Sequence, residues 1–231
     1  MDKTKLQTDF ISYIAHELRA PLASMRWNTE MLLDGTLGDV PEAQKKILNA
    51  IYEGNKRMGT LINNLLEITH TENGKYAITN EEIHIALIVD NILHNLEKEI
   101  KEKNLKVEKD FPTNPALFSF DKKSIEIFLN TLIANAVLYN KKNGTVKISF
   151  KYNDDLLIDV TDTGIGIPED EQKKIGTEMF RGAGVKNDTQ GTGLSLLLTN
   201  KILKLTGGEL TFKSVEKEGS TFSLKLPNNK I

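Results

Sequence analysis

The sequence predicts an α+β fold in which an N-terminal antiparallel helical hairpin precedes an α/β sandwich with a mixed sheet. Two observations predict this fold. Two apolar seams with alternating three- and four-residue spacing lie in the first third of the chain, on either side of a cluster of turn residues. Beyond them, apolar helices alternate with paired strand-like runs, which is the pattern of helices packed on a sheet. We therefore expect a helical domain at residues 1–73 and an α/β domain at residues 74–231.

Composition places the chain among ordinary globular proteins. Its 231 residues, of which 39% are hydrophobic and 27% charged, suffice for two folded domains and argue against disorder. A net charge of −2 and an isoelectric point near 6.1 argue against a nucleic-acid-binding protein, which usually carries a basic face. Because cysteine is absent, disulfides and cysteine-based zinc sites are excluded. No apolar run approaches the roughly 18 residues that span a bilayer, and no signal peptide is recognisable.

The first predicted helix, residues 1–33, carries an apolar seam with the period of a helical bundle. The seam consists of Ile11, Ile14, Leu18, Leu22, Met25, Thr29 and Leu32. The turn-rich segment Asp34–Pro41 ends this helix. The second helix repeats the spacing with Ile47, Ile51, Gly54, Met58, Leu61, Leu65 and Ile68. Since two helices alone cannot bury both seams, we expect two copies of the hairpin to form a four-helix bundle in a homodimer.

One histidine of the first helix lies away from this seam. His16 is about 200° around the helix from Ile14, so its side chain is expected to face solvent. It is followed directly by Glu17 and then by Arg19. A solvent-facing imidazole is a usable nucleophile. By itself, a His-Glu pair on a helix is more often part of a solvated surface.

The α/β domain is predicted to follow the helix stop at Thr71–Gly74. Its predicted helices are Ile83–Lys103, Ser124–Tyr139 and Leu194–Leu205. Its predicted strands are Asn104–Phe111, Thr145–Tyr152, Leu156–Thr161, Glu209–Val215 and Thr221–Leu226. Short polar connections join the strand pairs, as in hairpins, and we expect the helices to cover one face of the sheet.

Two glycine-containing loops carry the candidate ligand-binding residues. Asp162 ends a predicted strand and is followed by Gly164 and Gly166, which allow a tight turn and a close approach of the backbone to a ligand. A carboxylate there can accept a hydrogen bond from an exocyclic amine, such as N6 of adenine. The second loop opens a helix, where backbone N–H groups and the helix dipole suit a phosphate. This loop consists of Gly191, Thr192, Gly193 and Leu194.

The order of these motifs resembles the catalytic core of two-component sensor histidine kinases. The His-Glu-X-Arg-X-Pro segment that begins at His16 comes first, the helix with Asn135 and Tyr139 follows, and the two glycine loops come last. The resemblance extends over residues 6–226. It implies a dimeric phosphotransfer hairpin followed by a Bergerat-type ATP-binding domain, with ATP and Mg²⁺ as ligands and a histidine as the phosphorylated residue.

The resemblance implies a role for each candidate residue. His16 receives the phosphoryl group, Glu17 orients and stabilises the ring, and Arg19 balances charge beside it. Asn135 coordinates Mg²⁺ through its amide oxygen, which is a hard ligand of the kind this ion prefers. Tyr139 packs near the adenine. The implied nucleotide-binding set is Asn135, Tyr139, Asp162, Gly164, Gly166, Arg181, Gly191, Thr192, Gly193 and Leu194.

The same resemblance implies the partners and the location of the protein. The partners are a second copy of the chain and a response regulator receiver domain, whose aspartate takes the phosphoryl group from His16. No nucleic-acid partner is expected. The implied location is the cytoplasm, where the chain would form the cytoplasmic part of a membrane-bound sensor. It would be connected to the membrane only through a segment of the parent protein that is absent from this sequence.

The chain departs from the family pattern at several positions, among them Thr131, Leu138, Ser195 and Ala20. Thr131 stands where the family usually has a second asparagine, Leu138 replaces a basic residue, and Ser195 replaces a glycine of the second loop. Ala20, one helical turn after His16, stands where many members carry threonine or asparagine.

Two alternative functions remain open from the sequence. A degenerate kinase would act as a dimeric signalling scaffold without catalysis. A GHKL-type ATPase, of the gyrase and chaperone kind, would hydrolyse ATP with water. Those enzymes place a general-base glutamate where this chain has Thr131, and they lack a histidine-bearing hairpin.

Overall fold

The computed structural model describes residues 3–112, 117–152, 154–177 and 193–228. The chain divides into two compact units, Met1–Tyr76 and Ala77–Ile231. The first contains two long helices, and the second combines helices with two sheets. Among the described residues, no helix combines the length and the apolar character that crossing a membrane requires.

The first unit is an antiparallel helical hairpin, as its two apolar seams predict. Its helices are α1, Lys3–Leu33, and α2, Glu42–Glu72. The guanidinium of Arg19 on α1 donates to the side-chain oxygen of Asn63 on α2 at 3.2 Å. Further along α1, Glu30 accepts from the hydroxyl of Tyr52 at 2.9 Å. Residue numbers therefore rise on one helix as they fall on the other.

The turn between the helices is stabilised by Asp34. Its carboxylate accepts hydrogen bonds from the hydroxyl of Thr36 at 2.6 Å and from the Thr36 N–H at 2.8 Å, and these bonds lower the pKa of Asp34. Gly35 and Gly38 have φ angles of +81° and +108°. Such left-handed angles are strained for residues with a Cβ, which explains why glycines occupy these positions of the turn.

The second unit is built on a five-stranded mixed sheet. The described part of the whole unit contains the strands β1 Asn80–Ile83, β2 Lys106–Asp110, β3 Phe118–Asp121, β4 Thr145–Tyr152, β5 Asp155–Asp162, β6 Glu209–Val215 and β7 Gly219–Pro227, of which all but β1 and β3 belong to the five-stranded sheet. Its helices are α3 Ile85–Asn95, α4 Glu97–Glu102, α5 Lys122–Leu138, α6 Glu169–Gln172 and α7 Ser195–Thr206. The sheet order is β2-β4-β5-β7-β6, with β2 parallel to β4 and the other pairs antiparallel. Strands β1 and β3 form a separate antiparallel pair.

The core of this unit lies between the sheet and helix α5. Along β5 every second residue is buried, including Ile158 and Val160, and α5 buries Phe128 and Leu132 against this face. Helices α3 and α7 pack beside α5. The other face of the sheet carries polar pairs, such as Lys225 with Asp155 at 3.1 Å. Helices on one face of a mixed sheet confirm the predicted α/β sandwich.

The predicted single helix Ile83–Lys103 is wrong, because the structure divides this segment into α3 and α4. The chain departs from helical geometry at Leu96, with φ −102° and ψ 9°. The N–H of Leu96 is shared between the carbonyls of Ile92 and Leu93 at 3.1 and 3.2 Å. Nothing in the amphipathic pattern signals this break, since the apolar period continues across it.

The sequence pattern also fails to predict the small two-stranded sheet formed by β1 and β3. Its strands have four residues each, and Asn80 pairs with Asp121 across a long sequence separation. Four residues are too few for a period-two pattern to stand out in the sequence.

Candidate functional site

The exposed histidine lies on the outer surface of the hairpin. The His16 side chain is 80% exposed, and its Nδ1 lies 3.5 Å from Oε1 of Glu17. The preceding residue, Ala15, is buried. The structure thus puts the imidazole in solvent with a carboxylate beside one ring nitrogen, an arrangement that suits a nucleophile approached by an outside group.

Arg19 makes its contact with the neighbouring helix. It lies about one helical turn beyond His16, and its guanidinium donates to Asn63 of α2. The contact is exposed, so its strength depends on the surrounding solvent. The hydrogen bond to Asn63 links α1 to α2, and the guanidinium of Arg19 places a positive charge about one helical turn from His16.

A buried carboxylate ends strand β5 in the second unit. Asp162 is 8% exposed, and its Oδ1 accepts a hydrogen bond from the N–H of Gly164 at 2.8 Å. The backbone N–H of Ser220 also donates to this carboxylate. Burial raises the pKa of Asp162, and the two backbone bonds oppose that rise. A carboxylate has about four acceptor positions, so these two bonds leave capacity for a ligand.

The two glycines after Asp162 pack against other parts of the protein. A Cβ at Gly164 would overlap the carbonyl oxygen of Tyr139 at the end of α5. A Cβ at Gly166, where φ is +63°, would overlap the carbonyl oxygen of Val215 at the end of β6. These positions require glycine because the loop lies directly on neighbouring backbone.

The end of helix α5 adjoins this loop. Tyr139 caps α5, its N–H bonding to the carbonyl of Asn135, and its own carbonyl accepts the N–H of Ile165 at 3.1 Å. Asn135 and Tyr139 are both half-buried. The structure thereby brings Asn135, Tyr139, Asp162 and Gly164 into one neighbourhood.

Part of the second glycine loop is described. Gly193 has φ +72°, and the buried Leu194 directly precedes α7, which packs on α5. The other predicted residues of this region, Arg181, Gly191 and Thr192, lie outside the described residues. Among the described residues, no cluster of three or more His, Cys, Asp or Glu side chains is arranged to hold a metal ion.

Two residues near the site were missed by the sequence reasoning. Ser220 lies opposite Asp162 because β5 pairs with β7. Asn140 is buried after α5, and its amide donates to the carbonyls of Ala136 and Thr145 at 3.1 and 3.0 Å. A polar residue directly after an apolar helix was an available sign for Asn140. No local sign marked Ser220, since its place depends on which strands pair.

Two protein families match this chain. The His Kinase A (phospho-acceptor) domain matches residues 6–74. The histidine kinase-, DNA gyrase B- and HSP90-like ATPase family matches residues 120–230. The first match contains His16, and the second contains Asn135 and Asp162. The chain belongs to the two-component histidine kinases. The predicted family is therefore confirmed.

Curated relatives of this histidine kinase core are larger proteins. The circadian input-output histidine kinase CikA of Synechococcus elongatus is 29% identical over 227 residues, which cover 96% of this chain and 30% of the relative. The sensor histidine kinase WalK of Bacillus subtilis is 28% identical over 223 residues, which cover 95% of this chain and 36% of the relative. The chain thus spans about a third of the length of these relatives.

Solved histidine kinase structures share the fold of this core. Full-length ShkA in complex with AMPPNP aligns with a TM-score of 0.74 at 19% identity, covering 95% of this chain and 45% of that chain. The Acinetobacter baumannii histidine kinase AdeS aligns with a TM-score of 0.64 at 24% identity, covering 93% and 98%. These alignments confirm the predicted order of a helical region followed by a mixed-sheet ATPase domain.

Proposed function

We propose that this histidine kinase core transfers the γ-phosphoryl group of ATP to His16 and then to an aspartate of a response regulator receiver domain. The observation that carries the proposal is the exposed imidazole of His16 within the segment that matches the phospho-acceptor family. The relatives CikA and WalK are both named histidine kinases, which supports the same activity.

The nucleotide is proposed to bind at Asp162. The carboxylate is buried and has acceptor positions beyond those bonded to Gly164 and Ser220. It can therefore accept a hydrogen bond from the exocyclic amine of adenine. Tyr139 supplies an aromatic side chain at the adjoining end of α5. The AMPPNP complex of ShkA concerns a protein with the same fold and supports a nucleotide ligand here.

The phosphate groups are assigned to the second glycine loop, where Gly191, Thr192, Gly193 and Leu194 precede α7, and to Arg181. Helix N-termini offer unpaired N–H groups and a favourable dipole for anions.

Asn135 fits the requirements of a Mg²⁺ site. Mg²⁺ takes few protein ligands besides water and phosphate oxygens, so one amide oxygen is sufficient. When bound, Mg²⁺ neutralises negative charge on the phosphate groups of ATP. Asn135 would hold it one helical turn before Tyr139.

The transfer step uses the chemistry of the exposed imidazole. The lone pair of His16 Nε2 forms the bond to the γ-phosphorus, while the bond from that phosphorus to the ADP oxygen breaks and ADP leaves. The proton on Nδ1 stays with the ring and is directed at the Glu17 carboxylate, which stabilises the positive charge. The present separation of 3.5 Å closes by a small rotation of either exposed side chain. The positive charge of Arg19 offsets the negative charge of the phosphoryl group on His16.

The second half of the reaction is a transfer to a carboxylate. The aspartate oxygen of the receiver domain forms a bond to phosphorus as the phosphorus–nitrogen bond of the phosphorylated His16 breaks. The neutral imidazole of His16 is thereby restored, and the charge on Glu17 is unchanged over the cycle.

The active unit is proposed to be a homodimer, with the enzyme located in the cytoplasm as part of a membrane-bound sensor. Apolar seam residues remain exposed on a single hairpin, Leu18 on α1 and Met58 on α2 among them. A second copy would cover them in a four-helix bundle.

The alternative of a water-using ATPase lacks a residue it needs. Thr131 stands at the general-base position and is buried, and its hydroxyl has no basic character at neutral pH. A scaffold of the degenerate kind would have lost nucleotide binding. The buried Asp162 carboxylate, which keeps acceptor positions for a ligand, argues against that loss.

The experiment uses γ-³²P-labelled ATP and Mg²⁺ with the purified chain. We expect acid-labile label on the protein, no label on His16→Gln, and unchanged ATP affinity of that variant by calorimetry. The control is His94→Gln, which alters another exposed histidine and should label like the wild type. Free phosphate in place of labelled protein would identify an ATPase, and neither product would identify a scaffold.

A further inference from the structure

We propose that Ser214 is a positioning residue that holds the Asp162 carboxylate in register with the glycine loop. The inference rests on the proposed role of Asp162 in binding adenine. Ser214 lies on β6, a strand to which no nucleotide contact is assigned, and its hydroxyl makes three hydrogen bonds.

The direction of each bond follows from the chemistry of the groups. A serine hydroxyl has one hydrogen and two acceptor positions. The N–H of Ile167, 2.8 Å away, only donates, and the carbonyl of Gly219, 3.1 Å away, only accepts. The single hydrogen of Ser214 therefore goes to Gly219. It follows that Ser220, whose hydroxyl lies 2.9 Å away, donates to Ser214.

The saturated hydroxyl joins the two segments that flank Asp162. Ile167 belongs to the loop that begins at Asp162, and Ser220 is the residue opposite Asp162 in the β5–β7 pair. The N–H of Ser220 itself donates to the Asp162 carboxylate. Ser214 thus ties the far end of the loop to the strand residue that contacts the carboxylate.

Other contacts hold the loop to the same strand end. The side-chain amide of Gln172 donates to the carbonyls of Ile167 and Ser214 at 2.9 and 3.2 Å. The N–H of Lys217 donates to the carbonyl of Ile165 at 2.6 Å. Because these bonds remain when the hydroxyl is removed, loss of Ser214 Oγ should misalign the loop without unfolding the domain.

The test compares variants of Ser214 that keep or remove the hydroxyl. Ser214→Thr and Ser214→Val differ only by a hydroxyl against a methyl group, and Ser214→Ala removes the hydroxyl without adding volume. Ser223→Ala is the control, since it removes a serine hydroxyl that bonds to Asp159 at 2.5 Å elsewhere on the sheet.

Two measurements are made on each variant of the full chain. Calorimetric titration gives the ATP affinity, and amide hydrogen exchange by NMR gives the protection of the Ile167 N–H. We expect Ser214→Val and Ser214→Ala to bind ATP about tenfold more weakly, the factor of one lost buried hydrogen bond. We expect Ile167 to lose protection in both. Ser214→Thr and Ser223→Ala should resemble the wild type in both measurements.

The outcomes separate this inference from the proposed function. Ile167 protection that is equal in the Thr and Val variants would overturn the positioning role, with or without nucleotide. Equal ATP affinity of those two variants would overturn it too. If Asp162→Asn binds ATP like the wild type, the adenine role of Asp162 fails, and the exchange of Ile167 alone then decides whether Ser214 holds the loop.

Discussion

Asp162 is the residue at which stability and binding oppose each other. Its burial disfavours the charged carboxylate, while the N–H groups of Gly164 and Ser220 favour it. Burial is the larger effect, so the pKa of Asp162 lies above the ordinary value of 3.8. A carboxyl group whose pKa is raised by folding binds more protons in the folded chain than in the unfolded chain. The free energy of unfolding therefore falls as pH rises from the ordinary pKa of 3.8 through the higher pKa of the folded protein.

Asp162→Asn is therefore expected to lower ATP affinity without lowering the free energy of unfolding at pH 7. The amide keeps an acceptor for Gly164 and removes the buried charge, but it presents a donor toward the adenine amine. Urea unfolding between pH 4 and 8 should show the advantage of the variant over the wild type shrinking toward pH 4. Asp154→Asn, at an exposed position, is the control. A variant that is least stable relative to wild type at pH 7 would contradict the assignment.

Ala20 predicts a weak phosphatase activity toward the phosphorylated regulator. It is exposed about one helical turn after His16, at the position where the family resemblance implies a hydroxyl or amide that can orient a water. Alanine has no hydrogen-bonding side chain. We expect Ala20→Thr to speed phosphate loss from a phosphorylated cognate regulator by about tenfold, the effect of one added hydrogen bond.

The measurement mixes the ATP-free protein with the phosphorylated regulator. Ala23→Thr, at another exposed position of α1, is the matched control and should leave the rate unchanged. Fast phosphate loss by the wild type that Ala20→Thr does not alter would refute the importance of this side chain.

At the scale of secondary structure, the C-terminus of α5 depends on a distant lysine. The ammonium of Lys103 donates to the carbonyls of Val137 and Asn140 at 3.0 and 3.1 Å, and also to that of Leu138. Burial lowers the pKa of Lys103. A cation at a helix C-terminus satisfies unpaired carbonyls and complements the helix dipole. This contact fixes the helix end that carries Tyr139.

Lys103→Met should destabilise the second unit by about 1–3 kcal/mol, because it leaves half-buried carbonyl groups without their donor. Urea unfolding monitored by circular dichroism measures the change. Lys101→Met is the control, since Lys101 makes an exposed pair with Glu97 at 2.6 Å, and the loss of an exposed ion pair should leave the free energy of unfolding nearly unchanged. Equal effects of the two substitutions would mean that the helix end does not depend on Lys103.

At the scale of the whole molecule, the hairpin leaves its apolar seams uncovered. The side chains of Ile14, Leu18 and Met25 on α1 are 41–44% exposed, and Ile51 and Met58 on α2 are 49% and 46% exposed. A contiguous apolar stripe of this kind marks an interaction surface. The seam period of α1 and α2 is that of a bundle, so the partner that fits is a second hairpin.

Leu18→Glu is expected to convert the proposed homodimer to a monomer, because a buried, unpaired carboxylate would face the apolar seam of the partner. Light scattering coupled to size-exclusion chromatography gives the mass directly. Leu87→Glu places the same charge at a leucine of α3 that is 59% exposed and should leave the dimer intact. A wild-type chain of monomer mass at micromolar concentration would contradict the proposed assembly.

The sequence by itself determined the helices of the hairpin, the solvent-facing side of His16 and the two strand hairpins β4–β5 and β6–β7, because each depends on a pattern of neighbouring residues. It also indicated the family, since the order of its motifs is a property of the chain alone. Only the tertiary structure decided that Ser220 and Ser214 meet around Asp162, and that Lys103 caps α5. These contacts join residues from different elements, and no local pattern records which hairpins lie side by side in the sheet or which helix end a lysine reaches.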